Sequence, residues 1–543
     1  MTWTKGWREG VWSQLDQPWD MIIIGGGITG AGILRQATHA GLRALLVEAH
    51  DFASGTSSRS SKLVHGGMRY LKNAQFKLTL ESVSEREYLL RQGRGLVNRL
   101  GFLYASLRGD RMPGFLFGAG LTVYDLMAGQ PVLTGRSGWS HRVYDTLDMR
   151  ELCPPLTTPA LTGGYRYFDA QTDDARLVLR LLRESVAAGG LALNYARVES
   201  LLKTNSGQVC GVALKDTSGE MEKDVEIRGR IVVNATGAWT DALRVALGQT
   251  PRMRPLRGSH LVLPLSRLPL TRAVAFLHPK DGRPVFALPW EGVVIFGTTD
   301  VDHKTGLQTD PAISAGEFEY LLTALQHVFP RQALSEADIM ATFSGLRPVV
   351  DTGKADPSKE SREHAIWEEN GLLTVAGGKL TTFRVMARDA LKAARRHLGH
   401  IHFDPNIPVL NPPGSTGSTT AAAIDILTDE TLHSAQRLRL LGRYGADAQA
   451  LLAPQARPEL TPVGSTPYLF AELRHAARAE GVVHLDDLLL RRVRLGLLLP
   501  QGGADLLETI RPIVQPELGW DDARWQSEVT AYNRLWKQSY SFQ

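Results

Sequence analysis

One stretch, Asp20 to Leu71, constrains this chain more than any other. Four apolar residues, Met21-Ile22-Ile23-Ile24, lead into Gly25-Gly26-Gly27-Ile28-Thr29-Gly30, and Ala31-Gly32 continue as a helical pattern. A second apolar run, Ala44-Leu45-Leu46-Val47, stops at Glu48. Strand, glycine turn, helix, strand and acid in that order spell a dinucleotide-binding unit. Gly25 permits the tight turn, Gly27 lets the backbone approach a pyrophosphate, and Gly30 lets the helix pack close to the strand. The free N–H groups at the helix start and the positive end of its dipole then face the phosphates. Glu48, eighteen residues past Gly30, is placed to accept from a ribose 2′-OH. Glycine turns alone are common, so it is the agreement of all five parts that carries the reading.

The loop beyond Glu48 narrows the choice of nucleotide. Gly55-Thr56-Ser57-Ser58-Arg59-Ser60-Ser61-Lys62 is rich in hydroxyls that can hydrogen-bond phosphates. It hands over to Leu63-Val64-His65-Gly66-Gly67-Met68-Arg69-Tyr70-Leu71. Ile231-Val232-Val233-Asn234-Ala235-Thr236-Gly237 reads as a buried strand ending in a glycine turn. Phe343-Ser344-Gly345-Leu346-Arg347-Pro348 places an Arg where a strand should stop, and Ser361-Arg362-Glu363-His364 sits in a polar loop. Ala376-Gly377-Gly378-Lys379-Leu380-Thr381-Thr382 enters a long helix reaching about His397.

This arrangement resembles one family closely, the FAD-dependent glycerol-3-phosphate dehydrogenases, respiratory enzymes that reduce quinone. The resemblance runs from Asp20 to about Ala394 and, more weakly, through Ala476–Gly496 with its Asp486-Asp487 and Arg491-Arg492. It implies an α/β fold: a Rossmann-type FAD-binding domain of the glutathione-reductase or D-amino-acid-oxidase kind, an antiparallel β-sheet substrate domain and a C-terminal helical domain. The expected boundaries are 1–19 for an N-terminal extension and 20–100, 165–250 and 340–400 for the FAD domain. The substrate domain takes 101–164 and 251–339, and the helical domain 405–543.

The same resemblance implies the site. FAD would be held by Gly25, Gly27, Thr29, Gly30, Glu48, Ser57, Ser58, Ser61, Lys62, His65, Gly67, Ala235, Gly237, Gly378, Lys379 and Thr381. Catalysis would rest on His65, His260, Arg347 and Lys379, and the substrate would bind Arg69, Tyr70, Arg347 and Arg362. The implied reaction takes glycerol 3-phosphate to dihydroxyacetone phosphate by hydride transfer to flavin N5, with a membrane quinone as acceptor. An oxidase giving electrons to oxygen shares these motifs. A proton must also leave the alcohol, and histidine titrates close to working pH. His65, in the most specific motif, is the favoured base and His260 the runner-up. Arginine suits the phosphate because its planar fork binds two oxygens at once. The helix after Gly377-Gly378, with Lys379, could offer positive charge to the flavin near N1 and the C2 carbonyl.

Other features set the surroundings. Trp3, Trp7, Trp12 and Trp19 mark the extension; Trp3 and Trp7 at i, i+4 would share a helix face. They suit either a membrane–water anchor or, in somewhat better accord, a tail packed on its own domain. From Arg91 to Gly114 there are five arginines and one acid, followed by the apolar Phe115 to Leu121. That pattern fits a peripheral protein on the anionic inner face of the cell membrane and equally a solvated face beside a core helix. Asn411-Pro412-Pro413-Gly414 looks like a linker, and Leu488 to Leu499 like an amphipathic helical segment.

Composition bounds the rest. The 543 residues call for two or three domains. No window holds about 18 uninterrupted apolar residues, so a spanning helix is not expected. Net charge is +5 and the pI near 9.1, without a basic nucleic-acid module, so no nucleic acid is expected as partner. Cys153 and Cys210 form no metal or redox motif and suit a reducing cytoplasm; no metal is expected. A second G-x-G-x-x-G and a Cys-x₄-Cys pair are both missing, so electrons should enter from an organic substrate and leave to an external acceptor. A homodimer is left open.

Overall fold

The computed structural model describes the chain from Trp3 to Phe542 except for 73–74, 111–113, 131–137, 309, 356–359, 361, 403, 405–406, 412–430 and 453–457, and without the side chains of Arg69 and Lys72. Part of the expected linker, Pro412 to Gly414, therefore lies outside the described residues, as does Arg111.

The first sheet forms around Trp19–Ile24. It pairs in parallel with Ala44–Val47 on one side and Asp224–Asn234 on the other, so Ile24 lies between Val47 and Asn234. Leu191–Leu193 and Leu372–Gly377 extend the parallel order, and His364–Glu369 closes one edge antiparallel. Met21, Ile22 and Ile23 are fully buried. That is what an uninterrupted apolar run needs when both faces of a parallel sheet are covered. The helices Ile28–His39 and Phe383–Leu398 pack on one another, and Gly32 makes room for the Phe383 ring. Gly30 is forced by the same close packing, since a side chain there would collide with the Gly25 carbonyl.

The second sheet is larger, with ten strands. Met253–Pro264 is its axis, paired antiparallel with Val293–Gly297 and, over ten residues, with Ala341–Val350. Pro284–Trp290, Ala273–Leu277, Val97–Leu107, Leu161–Thr172 and Leu63–Val64 come next in order. The pairing of Ala273–Leu277 with Val97–Leu107 is parallel, so the sheet is mixed rather than wholly antiparallel.

Two expectations about boundaries change here. Ala341–Val350 belongs to the second sheet, as do Val97–Leu107 and the whole of Leu161–Thr172, so the sheet takes residues from segments assigned to the FAD domain. Arg347 also lies inside its strand instead of at its end. The strand continues through Pro348 because Pro348 faces Pro255, and neither is asked to donate an N–H to the other.

The N-terminal tryptophans are core residues: Trp3, Trp7, Trp12 and Trp19 are all buried. The helix begins only at Trp7, so Trp3 reaches it from outside, with ring centroids 5.8 Å apart, and stacks on Phe52 at 5.0 Å. Arg8 is buried as well and donates to the Asn194 carbonyl at 2.7 Å. These side chains are spent on packing, which removes them as a membrane anchor.

Leu488–Leu499 also departs from expectation, since it has no polar face. Leu488–Arg492 forms a π-type turn with all five residues buried, and Arg491, Arg492 and Arg494 end in ion pairs with Asp51 and Asp174. The surrounding helices, Phe470–Ala479, Leu507–Leu518 and Asp522–Ser539, pack this segment against Trp290, Val293 and Phe343 of the second sheet. Among the described residues, no helix is long and apolar enough to cross a membrane.

Candidate active site

A cavity of about 1290 Å³ lies between the two sheets. At its nucleotide end are Gly25, Gly27, Thr29 and Glu48. Gly25 has φ +115° and sits so close to the neighbouring strand turn that a Cβ would lie 2.6 Å from the Ala235 carbonyl oxygen. The Glu48 carboxylate accepts from the Gly26 N–H at 2.7 Å and the His50 N–H at 2.9 Å, which fixes it at the end of its strand. Ser57 Oγ accepts from the Ile28 N–H at 2.9 Å, so the hydroxyl loop is tied to the helix start. Backbone N–H groups, hydroxyls and a carboxylate at the strand tip form the donor and acceptor set that a dinucleotide requires.

Not all of the hydroxyl loop faces this space. Ser57 and Ser61 line the cavity, whereas the Ser58 hydroxyl donates to the Gly55 carbonyl at 3.5 Å within its own loop and the Lys62 ammonium turns to Asp174. The Lys62 ammonium is buried and donates to Asp174 at 2.8 and 2.9 Å and to the Ser58 carbonyl. Burial, with Arg494 close by, lowers its pKa to about 8. The Lys62 side chain is thus turned away from the cavity: with the Ser58 carbonyl it belongs to a buried ion-pair network that holds the loop from behind.

At the other end, Gly258 and His260 share one face of Met253–Pro264. His260 is 2% exposed, stacks on Phe343 at 4.5 Å, and shares a 2.8 Å hydrogen bond between Nε2 and Ser61 Oγ. Burial first, then the cations Arg347 and Lys62, push its pKa well below the ordinary histidine value. The imidazole is therefore neutral at pH 7, and the same surroundings make it a weaker base than an exposed histidine. His65 lines the same cavity on a half-buried loop, and its carbonyl accepts from Thr381 Oγ1 at 3.2 Å.

Arg347 enters over Gly258, where any side chain would run into its guanidinium. Its Nη1 donates to the Thr299 carbonyl at 3.1 Å and to Asp300 Oδ1 at 2.9 Å, and its Nη2 to Thr298 Oγ1 at 3.1 Å. Arg362 donates to Asp300 Oδ2 at 3.2 Å, and Arg283 to the Asp300 carbonyl at 3.0 Å. Three arginines thus meet at one aspartate on the cavity wall. Lys379 sits with Nζ 4.3 Å from the Tyr70 ring centroid and donates to Ser82 Oγ. Burial lowers its pKa to about 8, against the carboxylates of Glu81, Asp169 and Glu363. Gly67, with φ +76°, allows the Tyr70 ring to fold back over the loop. The Arg69 side chain lies outside the described residues.

The structure therefore gathers Gly25, Gly27, Thr29, Glu48, Ser57, Ser61, His65, Gly67, Tyr70, Ala235, Gly237, His260, Arg347, Arg362, Gly378, Lys379 and Thr381 round one cavity. Gly30 stands just behind it, as a packing glycine. Asp300 and Arg283 were missed, although Thr298-Thr299-Asp300 is a polar cluster directly after an apolar strand and could have been flagged. Asp169 was missed too. It accepts from the Gly66 N–H at 3.0 Å, Arg86 at 2.7 Å and Tyr124 at 2.8 Å, anchoring the His65–Gly67 turn from below. No short motif announces it.

Comparison with known proteins agrees with this geometry. Residues 20–384 match the family described as FAD dependent oxidoreductase, and 410–525 the C-terminal domain of alpha-glycerophosphate oxidase. The chain is 36% identical over 545 residues to glycerol-3-phosphate dehydrogenase 2 of Mycobacterium tuberculosis, spanning 97% of this chain and 89% of the relative. The chain belongs to the FAD-dependent glycerol-3-phosphate dehydrogenase family. Aerobic glycerol-3-phosphate dehydrogenase of Staphylococcus aureus is 33% identical over 488 residues, spanning 87% of this chain and 86% of its own. The crystal structure of glycerol-3-phosphate dehydrogenase from Bacillus halodurans complexed with FAD superposes with a TM-score of 0.77 at 26% identity, covering 99% of this chain and 98% of that one. The protein is accordingly an FAD-dependent oxidoreductase.

Proposed function

We propose that the protein oxidises sn-glycerol 3-phosphate to dihydroxyacetone phosphate and passes the electrons to a membrane quinone. The observation that carries this reading is the meeting of Arg347 and Arg362 on Asp300, in one cavity with a neutral, buried histidine. When bound, FAD supplies the hydride acceptor, N5 of its isoalloxazine. Gly25, Gly27, Thr29 and Ser57 would hold its phosphate region, Glu48 its ribose, and Ser61, Ala235, Gly237, Gly378 and Thr381 the remainder.

The other work falls to this chain's side chains. Arg347 and Arg362 offer charge-assisted donors to the substrate phosphate, and Asp300 keeps both forks oriented. Asp300 also partly neutralises the pair, so the site accepts a dianion without gathering bare positive charge. Either His65 or His260 can take the hydroxyl proton: burial beside Arg347 keeps His260 unprotonated at pH 7 and at the same time lowers its basicity, and the pH profile separates the two. Ser61, bonded to Nε2 of His260, fixes that ring's orientation. The Lys379 ammonium would offer positive charge to the flavin near N1 and the C2 carbonyl.

The quinone part rests on the surface. Gly114–Met127 exposes Phe115 (73%), Leu116 (52%) and Leu126 (58%), and the helix packed beside it exposes Phe76 (54%) and Leu80 (49%). Such a cluster favours an interfacial position, with a lipid-soluble acceptor within reach. The basic run contributes less than expected. Arg91 and Arg94 stand at the far end of Phe76–Gln92 from Phe76, and Arg99 is paired with Glu87 at 3.0 Å. Peripheral attachment to the inner membrane face is therefore assigned mainly to the apolar helix. The test is to follow reoxidation of the substrate-reduced protein by a ubiquinone or menaquinone analogue and by oxygen. Quinone should be much the faster; stoichiometric peroxide at matching rates would make it an oxidase.

A further inference from the structure

The C-terminal helices send one charged, buried segment into the nucleotide domain. Arg492 is 0% exposed, and its two terminal nitrogens grip the two oxygens of Asp51 at 2.5 and 2.8 Å. Arg491 donates to the same carboxylate through Nε and to Asp486 and Asp487, both at 2.6 Å. Arg494 donates to the Ser58 carbonyl at 2.7 Å. Burial alone would raise the Asp51 carboxyl, but Arg492 and Arg491 outweigh it and hold it down at about 2.

Asp51 is not an arbitrary anchor. It lies three residues after Glu48, in the turn that the glycine loop also holds: the Ala53 N–H donates to the Gly26 carbonyl at 3.0 Å, and Glu48 accepts from the Gly26 N–H at 2.7 Å. On its other side, Asn194 bridges Asp51 Oδ1 at 3.1 Å and the Gly481 carbonyl at 3.0 Å. Asp51, Asp486 and Arg491 themselves line the cavity. The turn that would carry the ribose contact is thus bonded to the glycine loop at one side and to the C-terminal segment at the other. None of these charges belongs to the set that would touch the substrate, so the proposed reaction leaves them without a role.

We propose that the C-terminal helical domain is a clasp on the FAD site: Arg491 and Arg492, acting through Asp51, are positioning residues that keep the Glu48–Ala53 turn closed on the nucleotide half of the cofactor. Binding of FAD and closure of the clasp then favour one another by the same free energy in both directions. A buried carboxylate cannot give up its cations cheaply, so the clasp opens as a unit and limits cofactor loss.

The holoenzyme tests this. Arg492→Lys keeps the charge and loses the fork. Release of FAD, followed by recovery of free-flavin fluorescence on dilution, should accelerate about tenfold, equal to about 1.4 kcal/mol. Lost activity should return on adding excess FAD. Arg183→Lys is the control: Arg183 joins the same two parts through Asp447 at 3.0 and 2.6 Å but does not touch the turn. It should release FAD at the wild-type rate. The clasp is overturned if Arg492→Lys retains FAD as the parent does, or if both variants release it equally fast. Should Arg492→Lys not fold, hydrogen exchange on the unaltered full chain decides. The Val483 and His484 amides donate to Asp487, the partner of Arg491, at 2.8 and 2.9 Å. FAD should slow their exchange, and identical exchange with and without FAD would refute the clasp.

Discussion

Arg347 and Arg362 hold the two oxygens of one carboxylate, Asp300, from different sheets. Arg347 rises from Ala341–Val350 of the second sheet, and Arg362 stands just before His364–Glu369 at the edge of the first. A phosphate bound by both arginines would therefore bridge the two domains at their seam. Charge-assisted hydrogen bonds contribute about 1.5–3 kcal/mol each. Replacing either arginine by Ala should lower kcat/KM for glycerol 3-phosphate by roughly ten- to a hundredfold. The far slower oxidation of unphosphorylated glycerol should hardly change. If both substrates slow by the same factor, neither arginine is the clamp.

Gly258 offers a gentler test of the same clamp. A Cβ there would lie 2.6 Å from the Arg347 Cζ, and the flexible guanidinium would move before the strand does. Gly258→Ala should therefore raise KM for glycerol 3-phosphate roughly tenfold, the loss of about one hydrogen bond to a charged group. The melting temperature should be nearly unaltered. A large fall in melting temperature with unchanged KM would place the glycine's role in the sheet instead.

The pH profile separates the two cavity bases. Burial and the neighbouring cations hold His260 neutral well below the ordinary histidine range. With His260 as the base, activity should persist as pH falls from 7.5 to 6, where a base of ordinary pKa near 6.5 would lose a large part of it. Lys379 acts on the other limb. Its pKa is lowered to about 8, so in the free protein its charge is lost as pH rises through about 8, and kcat/KM should fall there. Lys379→Arg, which stays charged, should remove that alkaline limb even if its maximum rate is lower. An acid limb near pH 6.5 that survives His260→Asn but disappears in His65→Asn would return the base role to His65.

Much of this site was legible because the nucleotide fold imposes its demands locally. The apolar run Met21–Ile24 and the glycines that follow it are consecutive in the chain and forced by backbone geometry, and Glu48 closes the same short unit. The clamp was half legible: Arg347 and Arg362 stand in motifs, but Asp300 joins them only through the pairing of distant strands. Lys62 turns away from the cavity: a hydroxyl- and cation-rich loop has two faces, and sequence does not say which one faces Asp174 and Arg494. The same blindness made Arg491 and Arg492 look like a polar helix face. Their carboxylate partner, Asp51, is hundreds of residues away.

The lipid surface should respond to apolar rather than basic substitution. Among the described residues Phe115 is the most exposed of the large apolar side chains, and full burial of such a ring contributes about 1.5–3 kcal/mol. Phe115→Ser should weaken binding to anionic vesicles by roughly tenfold or more. Salt should weaken binding only in part, as polybasic attraction is screened while apolar burial is not. Indifference of the unaltered protein to anionic vesicles at low salt would exclude peripheral attachment.

Oxidation of a phosphorylated polyol in this cavity should be visible on anaerobic mixing of the FAD-loaded protein with substrate. Glycerol 3-phosphate should bleach the oxidised flavin absorbance within the turnover time, and equimolar dihydroxyacetone phosphate should form. Glycerol at the same concentration should bleach it orders of magnitude more slowly, since two lost clamps at about 1.5–3 kcal/mol each amount to a hundredfold or more. Flavin that stays oxidised with glycerol 3-phosphate, or that bleaches equally fast with glycerol, would contradict the account.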